Sequence, residues 1–377
     1  MKYRKFGKTD IEVSILGFGA MRLPIIGGDH TAINEPEAIK MIRYAIDHGV
    51  NYVDTAYPYH GGKSEVVVGK ALKDGYRNKT YVATKLPVWL TNSKEDCDKY
   101  LDEQLKRLDM EYVDFYLLHA LNKDTWNKIY NFGVLDWAEK KIREGKFRYL
   151  GFSFHDDLET FKKIVDAYDW TFCQIQYNYI DIDYQAGREG LQYAANKGLA
   201  VVIMEPLRGG NLVNPPAKVR ELMESYKVKR NPVEWALLWL WNQKEVTTVL
   251  SGMSTLEQVI ENIKIAEKAE VGILDREDIE LVERLRDTFL GIKAINCTQC
   301  QYCLPCPYGV DIPRNFHIYN EGFRYNNWGH AKWLYNNTLK PEEMASNCQK
   351  CGICETKCPQ NLPIRDLLEM VARELGG

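Results

Sequence analysis

The sequence predicts an α/β chain in two parts: a closed barrel of eight parallel β/α units, of the TIM type, followed by a small, mainly α-helical domain rich in cysteine. Three observations carry this. Apolar, β-branched runs alternate with amphipathic stretches eight times in succession. After the first run, Gly17-Phe18-Gly19-Ala20-Met21 breaks the G-x-G-x-x-G pattern where its third glycine would stand, which disfavours an open doubly wound sheet. From about Ile292 the composition turns to cysteine, proline and short helical runs, so the boundary falls near Leu290, giving a barrel over residues 1–290 and a second domain over 291–377.

Taken in order, residues 3 to 14 read as a hairpin turned by Gly7, Lys8, Thr9 and Asp10. The strand candidates are Val13 to Met21, Asn51 to Ala56, Tyr81 to Leu86, Tyr112 to His119, Tyr149 to Phe154, Phe172 to Tyr177, Leu199 to Met204 and Thr247 to Gly252. The first helix shows its start signals: Asn34 as N-cap, Pro36 in the first turn, Glu37 three residues on, then Ile39, Ile42, Ala45 and Ile46 before Gly49. Further helices are expected at Ser64 to Lys73, Ser93 to Leu105, Asp136 to Glu144, Asp157 to Ala167, Gly187 to Asn196, Pro232 to Trp241 and Thr255 to Lys268, with Asp275 to Leu290 leading into the tail. Segments Trp89 to Asn92 and Asn122 to Phe132 read as pocket loops.

Composition narrows the function. With 45% hydrophobic residues over 377 positions the chain can bury a large core, and 49 Lys plus Arg against 52 Asp plus Glu leaves a net charge of -3. That balance supplies no basic field for nucleic acid or an anionic membrane, so small molecules are the expected partners. The opening MKYRKFGKTD has no apolar signal core, and the longest aliphatic-aromatic run, Trp235 to Trp241, is too short to span a bilayer; a cytoplasmic protein is expected.

Successive strand ends each deliver a chemical group: Asp54 and Tyr59, then Lys85, then His119. Any one alone would be an unremarkable cap or buried pair. Together, at the C-terminal face of a barrel, they form a site. A phenol titrates near 10, so it gives up its proton readily only beside a cation that stabilises phenolate. Lys85 is suited to that, Asp54 to holding the ammonium, and His119 to orienting a carbonyl. Tyr57 is the rival phenol but sits at the wrong offset from Asp54.

The motifs D-T-A-x-x-Y at Asp54 to Tyr59, T-K at Thr84-Lys85, Y-V-D-F-Y-L-L-H at Tyr112 to His119 and R-Y-L-G-F-S at Arg148 to Ser153 fall in order on successive strands. Over residues 3 to 288 the chain resembles the aldo-keto reductase superfamily. The resemblance implies Asp54, Tyr59, Lys85 and His119 as the catalytic tetrad, with Tyr59 as general acid while a nicotinamide (NADP or NAD) exchanges hydride with an aldehyde, ketone or alcohol. It also places the carboxamide near Ser153 and Gln174, and the turn Met204 to Gly210, with Pro206, Leu207, Arg208 and Gly210, near the ring and pyrophosphate. The run Val249 to Asn262 resembles the adenosine-phosphate loop and its helix, with Gly252, Ser254, Gln258, Glu261 and Asn262 at cofactor positions. Many members carry Lys and Arg where this chain has Gly252 and Gln258, and Met204-Glu205 stands where an aromatic and a serine are common.

The tail reads C-x2-C-x2-C-x2-C-P at Cys297, Cys300, Cys303 and Cys306, then C-x2-C-x2-C-x3-C-P at Cys348, Cys351, Cys354 and Cys358. Zinc also takes C-x2-C pairs, but eight thiols without an interleaved histidine and two Cys-Pro ends favour two 4Fe-4S clusters of the ferredoxin kind. Ferredoxin-like crossing would put Cys297, Cys300, Cys303 and Cys358 on one cluster and Cys348, Cys351, Cys354 and Cys306 on the other. Cys97 and Cys173 read as ordinary core residues.

The expectation is a nicotinamide-dependent oxidoreductase fused to a two-cluster iron-sulfur module that exchanges electrons with a ferredoxin-type partner. Hydride carries two electrons and each cluster one; a flavin is the usual converter, and no flavin motif is evident. The competing readings are a docking module with structural clusters, and a cofactor-sensing protein, since G-x-S-x-x-E-Q-x-x-E-N at Gly252 to Asn262 is also similar to potassium-channel β subunits.

Overall fold

In the computed structural model, which describes residues 1–376, the chain opens with an antiparallel hairpin of β1 (Tyr3–Lys5) and β2 (Glu12–Ser14), with Tyr3 opposite Ser14. Eight parallel strands follow and close into a barrel: β3 (Leu16–Gly19), β4 (Tyr52–Asp54), β5 (Tyr81–Leu86), β6 (Val113–Leu121), β7 (Phe147–Phe154), β8 (Phe172–Gln176), β9 (Ala200–Met204) and β10 (Thr248–Gly252), with β10 returning to pair with β3. The expected first strand, Val13 to Met21, is two. Between them Ser14 Oγ donates to Leu16 O at 2.7 Å and the Ser14 N–H goes to Asn51 Oδ1, so side chains replace the ladder and the hairpin parts from the barrel.

The hairpin plugs the N-terminal end. Phe6 is fully buried, with its ring centroid 4.4 Å from that of Phe115 and 5.2 Å from that of Phe172. Burying a side chain of this size stabilises by roughly 1.5–3 kcal/mol. Gly7 (φ +59°) makes the approach possible, because a Cβ there would lie 2.7 Å from Ala200 N.

Helices lie between the strands, α1 (Glu35–Asp47), α2 (Lys63–Ala71), α3 (Lys94–Leu108), α4 (Lys123–Asn131), α5 (Val134–Arg143), α6 (Leu158–Asp166), α7 (Gly187–Asn196), α8 (Ala217–Ser225) and α9 (Pro232–Trp241), and two follow the last strand, α10 (Leu256–Lys268) and α11 (Arg276–Gly291). Asn34 caps α1 as its spacing predicts, and Thr255 caps α10. The segment read as a pocket loop after β6 is instead mostly α4, because Asn122 and Thr125 close a reciprocal capping box at its start.

Internal contacts divide the chain into two units: Met1–Gly209 with Val233–Val282, and Gly210–Pro232 with the residues from Glu283 onward. The second unit thus takes in α8 and the end of α11. It continues with α12 (Ile312–Tyr325), α13 (Trp328–Thr338), α14 (Ile353–Thr356) and α15 (Ile364–Leu375). Its core is Ile312, Phe316, Ala331, Tyr335, Leu368 and Val371, with six of the tail cysteines packed against it. Among the described residues no helix is long and apolar enough to cross a membrane.

Candidate active site and cluster cavities

Parallel pairing sets the strand ends side by side, and three of the four tetrad residues meet there. Asp54 ends β4, Lys85 stands on β5 and Tyr59 begins the 3-10 turn Tyr59–Gly62 that follows β4. The Lys85 ammonium uses its three donors on Asp54 Oδ1 (2.5 Å), Thr55 O (2.9 Å) and Tyr59 Oη (3.4 Å). Both ends of the ion pair are buried. Burial works against the ammonium, but Asp54 and the phenol outweigh it, so Lys85 stays above its ordinary value and charged. Burial pushes the Asp54 carboxyl up, and Lys85 opposes that shift.

Tyr59 departs from the sequence argument in one respect. Its phenol is raised, not lowered: burial dominates, Lys85 pulls it down, and Asp54 and Glu205 push it up again. The phenol therefore carries its proton at neutral pH, and Lys85 is the neighbouring charge that favours phenolate. Tyr57 is removed as a rival, since its hydroxyl donates to Glu103 Oε2 at 3.1 Å and Arg107 lies 4.2 Å over its ring.

His119 on β6 sets its ring edge-on to Tyr59, with centroids 6.0 Å apart. Burial first, then Lys85, holds its imidazole well below the usual range, so it is neutral. Its Nδ1 is buried without a hydrogen-bond partner. The half-exposed Trp89 ring stands 5.1 Å away and walls the same space, in the short turn the sequence marked as a pocket loop.

Ser153 and Gln174 are opposite in register on β7 and β8 and both buried. Ser153 Oγ accepts the Ala120 N–H at 2.7 Å, and Gln174 Oε1 has no partner. A buried amide oxygen in want of a donor, beside a hydroxyl, suits a carboxamide.

The remaining cofactor candidates are less open. Pro206 is buried and Leu207 partly so, while Gly210 is exposed. Arg208, expected at the pyrophosphate, is paired with Asp181, its Nε 3.0 Å from Oδ2. The Ser254 N–H, expected to face an anion, donates to Gln258 Oε1 at 2.8 Å. Asn262 turns inward and donates to Ser251 Oγ at 3.0 Å. Gly252 and the partly buried Glu261 complete the loop and its helix.

Two supporting residues escaped the sequence reading. Gln104, on α3 and fully buried, donates through Nε2 to Lys85 O at 3.0 Å and to Glu65 Oε1 at 2.9 Å, and accepts from Tyr116 Oη at 2.7 Å. Glu65 also takes the Thr84 hydroxyl and Arg107. A Gln and a Glu at inward helix positions were the available signal.

In the second unit the tail cysteines line two small cavities. Cys297, Cys300, Cys303 and Cys358 line the first, together with Ile312 and Phe316. Cys306, Cys348, Cys351 and Cys354 line the second, which Cys303 also borders. Each set mixes the two runs, as ferredoxin-like crossing requires. Two buried asparagines on α12 brace the approaches: Asn320 Oδ1 accepts the Ala294 and Ile295 N–H groups, and Asn315 Oδ1 accepts that of Ala345. Cys97 and Cys173 are buried, and burial pushes the Cys97 thiol up to about 12, which makes it inert.

A family model described as "Aldo/keto reductase family" matches residues 15–287. The chain belongs to the aldo/keto reductase family. A second model, "4Fe-4S dicluster domain", matches residues 296–363. Among curated relatives, L-galactose dehydrogenase of Arabidopsis thaliana is 29% identical over 306 residues, covering 76% of this chain and 94% of that protein. A probable aldo-keto reductase 1 of Glycine max is 28% identical, over 70% of this chain and 85% of its own. The holo form of aldo-keto reductase AKR11C1 from Bacillus halodurans superposes with a TM-score of 0.65 at 27% identity, over 76% of this chain and 96% of its own. A Klebsiella pneumoniae aldo-keto reductase solved with NADPH, at 22% identity and TM-score 0.62 over 76% and 95%, shows the shared fold. This chain is an aldo/keto reductase barrel joined to a 4Fe-4S dicluster domain, and its relatives mark it as an oxidoreductase.

Proposed function

We propose that the protein reduces an aldehyde or ketone to the alcohol, or runs the reverse, with a nicotinamide nucleotide, and that two 4Fe-4S clusters link this barrel (residues 1–290) to a one-electron protein donor or acceptor through the tail (291–377). The observation that carries it is the Lys85 ammonium held by Asp54 within 3.4 Å of a protonated Tyr59.

Bound nicotinamide would supply or accept hydride. The chain's own groups do the rest. Ser153 and the unpartnered Gln174 amide fit the carboxamide and would orient the ring. Neutral His119 would hold the carbonyl oxygen by a hydrogen bond, Trp89 would exclude water from one side, and Tyr59 Oη would give its proton to the oxygen as charge develops. Lys85 would then stabilise the phenolate, and Asp54 would keep the ammonium in place.

In the tail, Cys297, Cys300, Cys303 and Cys358 would hold one cluster and Cys306, Cys348, Cys351 and Cys354 the other, as the two mixed cavity linings support.

The test is anaerobic: an iron and sulfide count with an EPR spectrum of the reduced protein, and aldehyde reduction with NADPH and NADH by the unaltered protein and Tyr59→Phe. Two clusters, and turnover that Tyr59→Phe abolishes while nucleotide binding persists, support the proposal. Turnover retained by Tyr59→Phe would place the acid elsewhere.

A further inference from the structure

The two cysteine cavities differ in charge. Cys297, Cys300, Cys303 and Cys358 share theirs with Thr298, Gln301 and Gln360, and the rest of its lining is apolar; among the described residues no charged side chain borders it. The cavity of Cys306, Cys348, Cys351 and Cys354 is bordered by one, Arg365, in the first turn of α15. Arg365 Nε lies 3.0 Å and Nη2 2.8 Å from Glu355 Oε2, and the Arg365 N–H donates to Glu355 Oε1 at 2.9 Å. Nη1 is left beside Gly352, which stands in the chain between Cys351 and Cys354: a Cβ there would be 3.7 Å from it. Glu355 does not border the cavity, so the ion pair turns its positive end to the cysteines.

Three groups work the other way. The Gln299 N–H donates to Cys297 Sγ at 3.4 Å, on the uncharged side. Lys293 is a minor influence on Cys297, behind burial, that N–H and two neighbouring thiols. Glu355 raises the Cys354 thiol, after burial. None of the three matches a guanidinium at the lining. A neutral N–H bond is about half as strong as a charge-assisted one, Lys293 is exposed and outside the lining, and Glu355 lies outside the lining that Arg365 reaches. A 4Fe-4S site gains one negative charge on reduction, which a nearby cation stabilises and apolar surroundings penalise.

We propose that Arg365 makes the site of Cys306, Cys348, Cys351 and Cys354 the better electron acceptor of the two, so that electrons from a one-electron donor fill the tail in a fixed order. This rests on the two-cluster reading above. At each step the donor loses one electron and one site gains it, with no bond made or broken and no proton moved. Arg365 neither ligates nor reacts; it acts through its charge.

The intact protein and its variants, with iron and sulfide counted on each, are titrated anaerobically with dithionite and redox mediators while EPR follows the reduced signals. The unaltered protein shows two steps whose equilibrium constants differ by about tenfold or more, roughly 59 mV for one electron. Arg365→Gln lowers the upper step by about tenfold and leaves the lower one in place. Arg365→Lys returns most of that shift, and Gln360→Arg, which puts a cation on the other lining, raises the lower step instead. A measurement on the unaltered protein is independent of how any variant folds. The Arg365 side chain is 45% exposed, so the gap between the steps narrows as salt rises from about 0.01 to 1 M. Coincident steps, a gap indifferent to salt, or an Arg365→Gln shift that falls on the lower step or on neither overturns the inference and leaves the two clusters in place. If the unaltered protein holds fewer than two clusters, the two-cluster reading itself fails and the inference with it.

Discussion

Lys85 Nζ lies 2.5 Å from Asp54 Oδ1 with both side chains almost wholly removed from solvent. A buried pair of this kind is poor evidence for stability, because two desolvated charges roughly offset their mutual attraction, but removing one partner strands the other. Lys85→Met should therefore destabilise the barrel by about 3–5 kcal/mol and abolish carbonyl reduction. Adding Asp54→Asn should return most of the stability and none of the turnover. Denaturant midpoints beside single-turnover rates check this, and a double variant as unstable as Lys85→Met would show that the pair's charge is not what matters.

Gln104 bonds the carbonyl of Lys85 itself, so it should act on the site from behind the strand. Gln104→Leu leaves Tyr116 Oη without its acceptor and Glu65 with one donor fewer, a loss of about 1–3 kcal/mol. A shift of the Lys85 backbone should lower kcat more than it raises KM, whereas a purely structural role would lower the melting temperature and leave both constants unchanged.

How much of this was legible beforehand follows from the range of the interactions. The strands were, because a β-branched run in a barrel answers to burial alone, and Asp54, Lys85 and His119 each had to emerge where such a run ends. The cysteine spacing pointed to mixed cavity linings, since each run ends in a Cys-Pro that a ferredoxin-like crossing would carry to the other set. What was hidden depended on a side chain's choice among nearby partners: Arg208 pairing with Asp181, Gln258 turning back onto Ser254, Asn122 capping α4. Each is a local competition of about 1 kcal/mol, below what pattern can resolve. The rise of Tyr59 was hidden for a different reason, in that desolvation depends on everything packed around the ring.

His60, His119 and His155 all titrate below their ordinary value, in each case chiefly through burial. A base depressed on folding binds its proton in the unfolded chain first, so below about pH 6.5 unfolding takes up protons and stability falls with falling pH. Asp54, Glu65 and Glu205, raised by burial, work in the opposite sense at lower pH. The comparison is therefore made by difference. His155→Asn should lose less thermal stability than the unaltered protein between about pH 7 and pH 5.5. Parallel losses would mean that His155 titrates normally.

One helix, α12, hydrogen-bonds the segments ahead of both cysteine runs, and its two asparagines should be separable. Asn320 satisfies the N–H groups of Ala294 and Ile295 and donates to Ile295 O, directly before Cys297. Asn315 satisfies the Ala345 N–H and donates to Glu343 O, three and five residues before Cys348. Replacing either by leucine orphans buried backbone groups at about 1–3 kcal/mol each and frees one cysteine run. Asn320→Leu should lose the cluster of Cys297, Cys300, Cys303 and Cys358 first, and Asn315→Leu the other, each leaving one cluster's worth of iron and sulfide and a simplified EPR spectrum. If either substitution empties both cavities together, α12 holds the tail only as a common core, and the asparagines do not address the clusters one by one.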